Sequence, residues 1–238
     1  MTPPPISGYV LAGGRSSRMG SDKAMLTLAG KPLIAHAVTK LSRICGSVHV
    51  LSANPRLAPY GPLVPDLHPD CGPIGGIEAA LAHSQHDWNF ILPVDIPFLP
   101  TAFLDRWARE TIAAAPDGLR ISLFTISGVP QPTLLMLHRE ASPHIAQAVA
   151  RGDFKLFPAL EAAGRELAAR HSLTLGNVLH NANWDQSSTL TTYSDPDTRY
   201  AWQTITPSQQ TAQPLWFANL NTPGDVAAAQ LHLDALDT

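Results

Sequence analysis

Short apolar runs and longer stretches of helical period take turns along the first half of the chain. Tyr9-Val10-Leu11, with Ile6 close by, reads as a strand buried on both faces. The segment GKPLIAHAVTKLSRI starts at Gly30 and carries Pro32 at a first helical turn. Its Leu33, Ala37, Val38, Leu41 and Ile44 fall at helical spacing. Residues 47–53 (SVHVLSA) read as a second strand, and Leu63 to Asp66 as a short strand ending in an acid. GGIEAALAHS opens a helix. NFILPVD, Asn89 to Asp95, is the most apolar strand and also ends in an acid. Residues 101–115 follow as a helix, with Thr101 placed to cap it. This alternation predicts an α/β fold: a mostly parallel, Rossmann-like three-layer α/β/α sheet with crossover helices.

The second half is less regular. RISLFTI and TLLMLH read as strands flanking VPQP, and SPHIAQAVARG and FPALEAAGRELAAR as helices. Residues 177–213 are rich in Thr, Ser, Asn and Gln with no sustained period, so they read as a long polar excursion. In NLNTPGDVAAAQLHL, Thr222 caps a helix, Pro223 takes its first position, and Asp225 completes a capping-box spacing.

At 238 residues the chain has the length of one α/β domain, spanning 1–238. Charged residues are only 15% and the net charge is −3, so any basic site is local, and neither a nucleic-acid nor a membrane-surface partner is expected. The two cysteines, Cys45 and Cys71, form no CxxC or metal spacing, which suits a reduced, cytoplasmic protein. MTPPPISG has no signal-peptide pattern, and no apolar run nears the roughly 20 residues that cross a bilayer.

Local positive charge sits where the first strand ends. Open parallel sheets bind ligands beyond the carboxyl ends of their strands. There the chain reads LAGGRSSRMGSDK, from Leu11 to Lys23. Gly13 and Gly14 let backbone amides approach a ligand, and Arg15, Arg18 and Lys23 add full charges suited to a polyphosphate. The spacing fits neither GxxxxGK[ST] nor GxGxxG.

LAGGRSSRMGSDK closely resembles the signature L-A-G-G-x-x-x-R-M-G-x-D-K of nucleotidyltransferases that build nucleotide-activated cofactors and sugars. Within that superfamily the chain looks most like the molybdenum cofactor guanylyltransferases, the molybdopterin-guanine dinucleotide biosynthesis protein A family. VPDLHPDCGPIGGI resembles the family's acid followed by G-P-L-x-G, and ILPVDIPFLP its strand ending in C-D-x-P-F. VPQPTLLMLH is similar to its H-P-x-x-A-L-Y region, and NLNTPGD to its N-x-N-T-P-E-D segment. The motifs cover most of the chain outside the polar excursion. Gly13-Gly14 and Met19-Gly20 favour GTP, because the CTP-using branch reads L-A-A-G with Phe-Gly after the arginine.

The resemblance implies transfer of the GMP moiety of GTP to molybdenum-molybdopterin, with release of pyrophosphate. It assigns Arg18, Lys23 and Asp95 to catalysis, and Asp95 to Mg²⁺, which takes one or two carboxylates beside phosphate oxygens and waters. It places Leu11, Ala12, Gly13, Gly14, Arg15, Ser52, Asp66 and Gly72 along the nucleotide and Asn219 and Asn221 on the acceptor side. Partners would be GTP, molybdopterin, and molybdoenzymes or cofactor-synthesis proteins. Three departures stand out: Ser52 replaces the first Asn of N-A-N, Val94 the residue before the acid, and Gln131 the His before Pro132. Rival readings are a cytidylyltransferase or other nucleotidyltransferase of a phosphorylated metabolite, or a non-catalytic nucleotide-binding or cofactor-carrier protein. The ten histidines show no ligand spacing, and the five tryptophans lack basic interleaving.

Overall fold

A computed structural model describes residues 5–13, 22–184 and 205–237. In chain order the main elements begin with strand β1 (Ile6–Leu11), the short hairpin strands β2 (Thr27–Leu28) and β3 (Lys31–Pro32), helix α1 (Leu33–Ser42), β4 (Ser47–Leu51) and β5 (Leu63–Val64). Helix α2 (Pro73–His83), β6 (Trp88–Pro93), α3 (Thr101–Ala113), and the hairpin of β7 (Ile121–Ile126) and β8 (Val129–His138) follow. The chain continues through α4 (Ser142–Ala150), α5 (Leu156–His171), α6 (Leu175–Val178), β9 (Leu179–Trp184), α7 (Pro207–Thr211) and α8 (Pro223–Ala229).

Seven strands form one sheet in the order β5-β4-β1-β6-β8-β7-β9. All run the same way except β8, which pairs antiparallel with β6 and β7. The expected mostly parallel sheet is therefore present, with one strand reversed. Alternation along β1 separates two cores. Ile6 and Val10 pack with α1, α3 and the segment from Ile205 to Leu236, whereas Tyr9 and Leu11 pack with α2, α4 and α5. These are the three layers expected for such a fold.

Two readings of the sequence are corrected. Residues 177–213 are not one irregular excursion, because Leu179–Trp184 is strand β9, paired in parallel with β7, and Pro207–Thr211 is a helix. LHNANW lacks an apolar alternation because it is an edge strand, and only Trp184 is fully buried. Thr101 is not the cap of α3 either. Pro100 occupies that position without a side-chain bond, and Thr101 is the first helical residue. The capping box on α8 is present as expected, with Thr222 accepting from the Asp225 amide.

Candidate active site at the carboxyl edge of the sheet

Leu11 closes β1, and Ala12 and Gly13 leave the sheet at its carboxyl edge. Gly14, Arg15 and Arg18 lie outside the described residues. The chain re-enters at Asp22, whose carboxylate accepts from the Ala24 amide at 3.1 Å and so starts the single turn Lys23–Met25. The other oxygen of Asp22 accepts from Asn54 Nδ2 at 2.8 Å, which ties that turn to the loop beyond β4. Asn54 in turn accepts from the Arg56 amide and donates its own amide to Ser52 Oγ, each at 3.1 Å.

Held this way, Lys23 reaches across β1 to the end of β6. Its Nζ donates to Asp95 Oδ2 at 3.1 Å and to Asn221 Oδ1 at 2.5 Å. The strand itself stops at Pro93, so Asp95 stands two residues beyond it in a turn rather than at the strand's last position. Its ladder to β8 ends at Ile91–Leu135, and β8 stays with β7 through a bulge between Leu123 and Phe124. The residues leading to Asp95 thus continue without a β8 partner, an arrangement bulges commonly create beside ligand sites. Gln131, beyond the bulge, turns its amide onto Val129 O at 3.3 Å.

Asn221 arrives from a third direction. The Leu220 amide donates to Asp95 O at 2.8 Å, and Asp225 accepts from the amides of Asn221 and Thr222, both at 2.8 Å. Those bonds hold the Asp225 carboxyl below its usual range. Asn219 is exposed two residues before Asn221. The side chains of Lys23 and Asp95 are 25% and 17% exposed, so the pair borders solvent and can change partners.

The rest of the expected set lines the same edge, farther out. Ser52 follows β4 and is buried, its oxygen already accepting from Asn54. Asp66 lies two residues past β5, against the start of α2. A Cβ on Gly75 would stand 3.3 Å from its Oδ2, so the glycine keeps the helix close to the carboxylate. Gly72, at φ +69°, makes the turn into α2 in a conformation other residues avoid. Burial, and then the neighbouring charge of Glu78, push the Asp66 carboxyl upward. Glu78 is itself buried and bonded to His68 Nδ1 at 2.9 Å.

The structure therefore joins Lys23, Asp95 and Asn221 directly and sets Ser52, Asp66 and Gly72 along the neighbouring strand ends. Sequence reasoning gave no role to Asp22 or Asn54. A cap-type residue directly before Lys23 and an Asn before Pro55 were the available signals. No group of three or more His, Cys, Asp or Glu side chains able to hold a metal occurs among the described residues. Asp95 offers one carboxylate whose Oδ1 carries no hydrogen bond among those residues, which fits a cation taking its remaining ligands from phosphates and water. No helix among the described residues is long and apolar enough to cross a membrane.

The family model described as MobA-like NTP transferase domain matches residues 8–171, more than half of the chain. A protein of Serratia proteamaculans named molybdenum cofactor guanylyltransferase is 36% identical over 203 residues, covering 78% of this chain and 97% of its own. One of the same name from Vibrio cholerae is 32% identical over 166 residues, covering 66% and 77%. Among solved structures, molybdopterin-guanine dinucleotide biosynthesis protein A from Archaeoglobus fulgidus superposes with a TM-score of 0.65 at 22% identity, over 97% of this chain and all of the other, a likeness of fold. With its family-model match over residues 8–171 and a relative 36% identical over 78% of its length, this seven-stranded chain with one reversed strand belongs to the MobA-like NTP transferase family.

Proposed function

We propose that the chain is a molybdenum cofactor guanylyltransferase. It transfers the GMP moiety of GTP to the terminal phosphate of molybdenum-molybdopterin, forming the guanine dinucleotide and releasing pyrophosphate. The observation that carries the reading is the contact of Lys23 with both Asp95 and Asn221 in a chain so similar to proteins of that name.

An oxygen of the acceptor phosphate forms the new bond to the α-phosphorus of GTP as the bond to the β-phosphate oxygen breaks. That oxygen is already anionic, so no general base is required. The task is to bring two anions together in line and to spread the developing charge, by positioning and electrostatics. Lys23 and Arg18 neutralise the triphosphate, with Arg15 a weaker contributor, and Leu11, Ala12, Gly13 and Gly14 hold it through backbone groups. Ser52, Asp66 and Gly72 serve the nucleoside. From β5 to β6 there are three strand spacings, roughly 14 Å, along which a nucleotide can lie. Asp95 would hold Mg²⁺, which when bound neutralises phosphate charge and polarises the reacting group. Asn221, bonded to Lys23, and Asn219 stand where an acceptor phosphate would meet the nucleotide.

Pyrophosphate release from GTP, CTP, ATP and UTP, with Mg²⁺ and with or without a molybdopterin acceptor, tests the reading. Acceptor-dependent release from GTP alone is expected. Release from CTP, or with a sugar phosphate as acceptor, would move the chain to a sister activity, and binding without turnover would make it a carrier.

A further inference from the structure

A second lysine–aspartate pair lies outside the site. Lys40, in the last turn of α1, is 3% exposed, and its Nζ is bonded to Asp237 Oδ2. The same oxygen accepts from the Thr101 amide at 3.0 Å and from Thr101 Oγ1 at 2.7 Å. The other oxygen accepts from Gln209 Nε2 at 2.9 Å, and Gln209 is 4% exposed. Three elements distant in sequence thus converge on one carboxylate. The start of α3, which has no side-chain cap of its own, receives its anion from Asp237.

The segment that ends in this carboxylate begins at the candidate site. Leu220 donates to Asp95 O, and Asn221 accepts from Lys23. The capping box stiffens the entry into α8, and two short 3₁₀ turns between Gln230 and Ala235, kinked at His232, carry the chain on to Asp237. Buried Val226, Ala229, Ala235 and Leu236 seat the segment on the sheet's core. Asp95 and Thr101 are six positions apart. The segment from Leu220 to Asp237 is hydrogen-bonded to one of them at each end, so the two stretches form a closed circuit through the loop that presents Asp95.

We propose that Asp237 is a positioning residue of the transfer reaction: clasped by Lys40, Thr101 and Gln209, it holds the Leu220–Asp237 segment so that Asn221 stays on Lys23. This rests on the guanylyltransferase reading for its effect on rate, though not for its effect on the segment. Without the carboxylate, the segment keeps its apolar seat but loses one of its two polar anchors, and the turn at Asn221 becomes free to shift relative to Lys23.

The test pairs Asp237→Asn with Asn221→Ala, singly and together, and reads two quantities. The first is backbone amide exchange at Leu220 and Asn221, expected to quicken about tenfold in Asp237→Asn. The second is GTP-dependent turnover, expected to fall about tenfold in each single variant and to fall no further in the double, because both changes act through one contact. Unchanged exchange at Leu220, or losses that multiply in the double variant, would overturn the proposal. If Asp237→Asn does not fold, Lys40→Met leaves Thr101 and Gln209 on the carboxylate and is read in the same two ways, with a smaller effect of the same sign expected and no effect overturning it. Should the unaltered chain show no turnover with any acceptor, the functional reading fails while amide exchange still decides the clasp.

Discussion

The molecule holds two lysine–aspartate pairs of the same chemistry, and their surroundings set them apart. Lys23 and Asp95 border solvent at the carboxyl edge of the sheet, at 25% and 17% exposure. Lys40 and Asp237 are closed in at 4% and 13%, and both oxygens of the carboxylate are already bonded, to Lys40, Thr101 and Gln209. The first pair can exchange its partners for a ligand's phosphates at modest cost, because exposed ion pairs contribute little. The second cannot be opened without stranding a charge in the core. The same two residue types thus make an open pair that can take a ligand and a closed one that cannot, and burial alone separates them.

The strongest way to break that contrast is at Asp95. Asp95→Asn should lower Mg²⁺-dependent turnover roughly 100- to 1,000-fold while the thermal midpoint barely moves. An active variant would remove Asp95 from the metal role. Lys23→Ala should cost somewhat less, about 100-fold in rate, again with little loss of stability, and an unchanged rate would deny it contact with phosphate. At the closed pair the readout reverses. Lys40→Met should cost about 3 kcal/mol of unfolding free energy by denaturant titration, because it leaves a buried carboxylate without its cation.

A pH series separates these charges from the histidines. Burial opposes ionisation of Asp237, but the Lys40 charge and the hydrogen bonds from Lys40 and Thr101 outweigh it and hold the carboxyl below its ordinary 3.8. That contribution is in place above 3.8 and fades only as pH falls through the lower folded value. His36, His49, His138 and His144 are instead held below the ordinary 6.5, chiefly by burial. Their unfolded forms take up protons first, so stability should decline as pH falls below 6.5 and the melting temperature should drop between pH 7 and 5. His49→Phe, which keeps the ring stacked on Tyr9, should flatten that decline. The smallest expected effect is at Asn54→Ala, about 1 kcal/mol, from the lost bond to Asp22.

Lys23 and Asp95 were legible in the sequence because each carries a local signature, a basic glycine loop and an acid after an apolar strand. Their meeting needs the neighbouring of β1 and β6 and, beyond it, the Asp22 turn tied to Asn54 that carries Lys23 back over the sheet edge. The closed pair was not legible. Lys40 and Asp237 are 197 positions apart, on a helix face and after an irregular turn, and neither has a local pattern that announces a partner. For the same reason Thr101 was misread as a cap, as the acceptor for that helix start comes from 136 positions away. Strand β9 escaped notice because pairing with β7, rather than its own polar residues, makes it a strand.

The contact between Lys23 and Asn221 also has a history in time. The two residues are 198 positions apart, and at synthesis rates of about 5–20 residues per second the second appears roughly 10–40 s after the first. During that interval the nascent chain carries its basic, glycine-containing stretch and a growing sheet, but no asparagine to meet the lysine. The site is therefore completed late in synthesis, so a ribosome-bound chain can fold most of its sheet well before it assembles the full constellation.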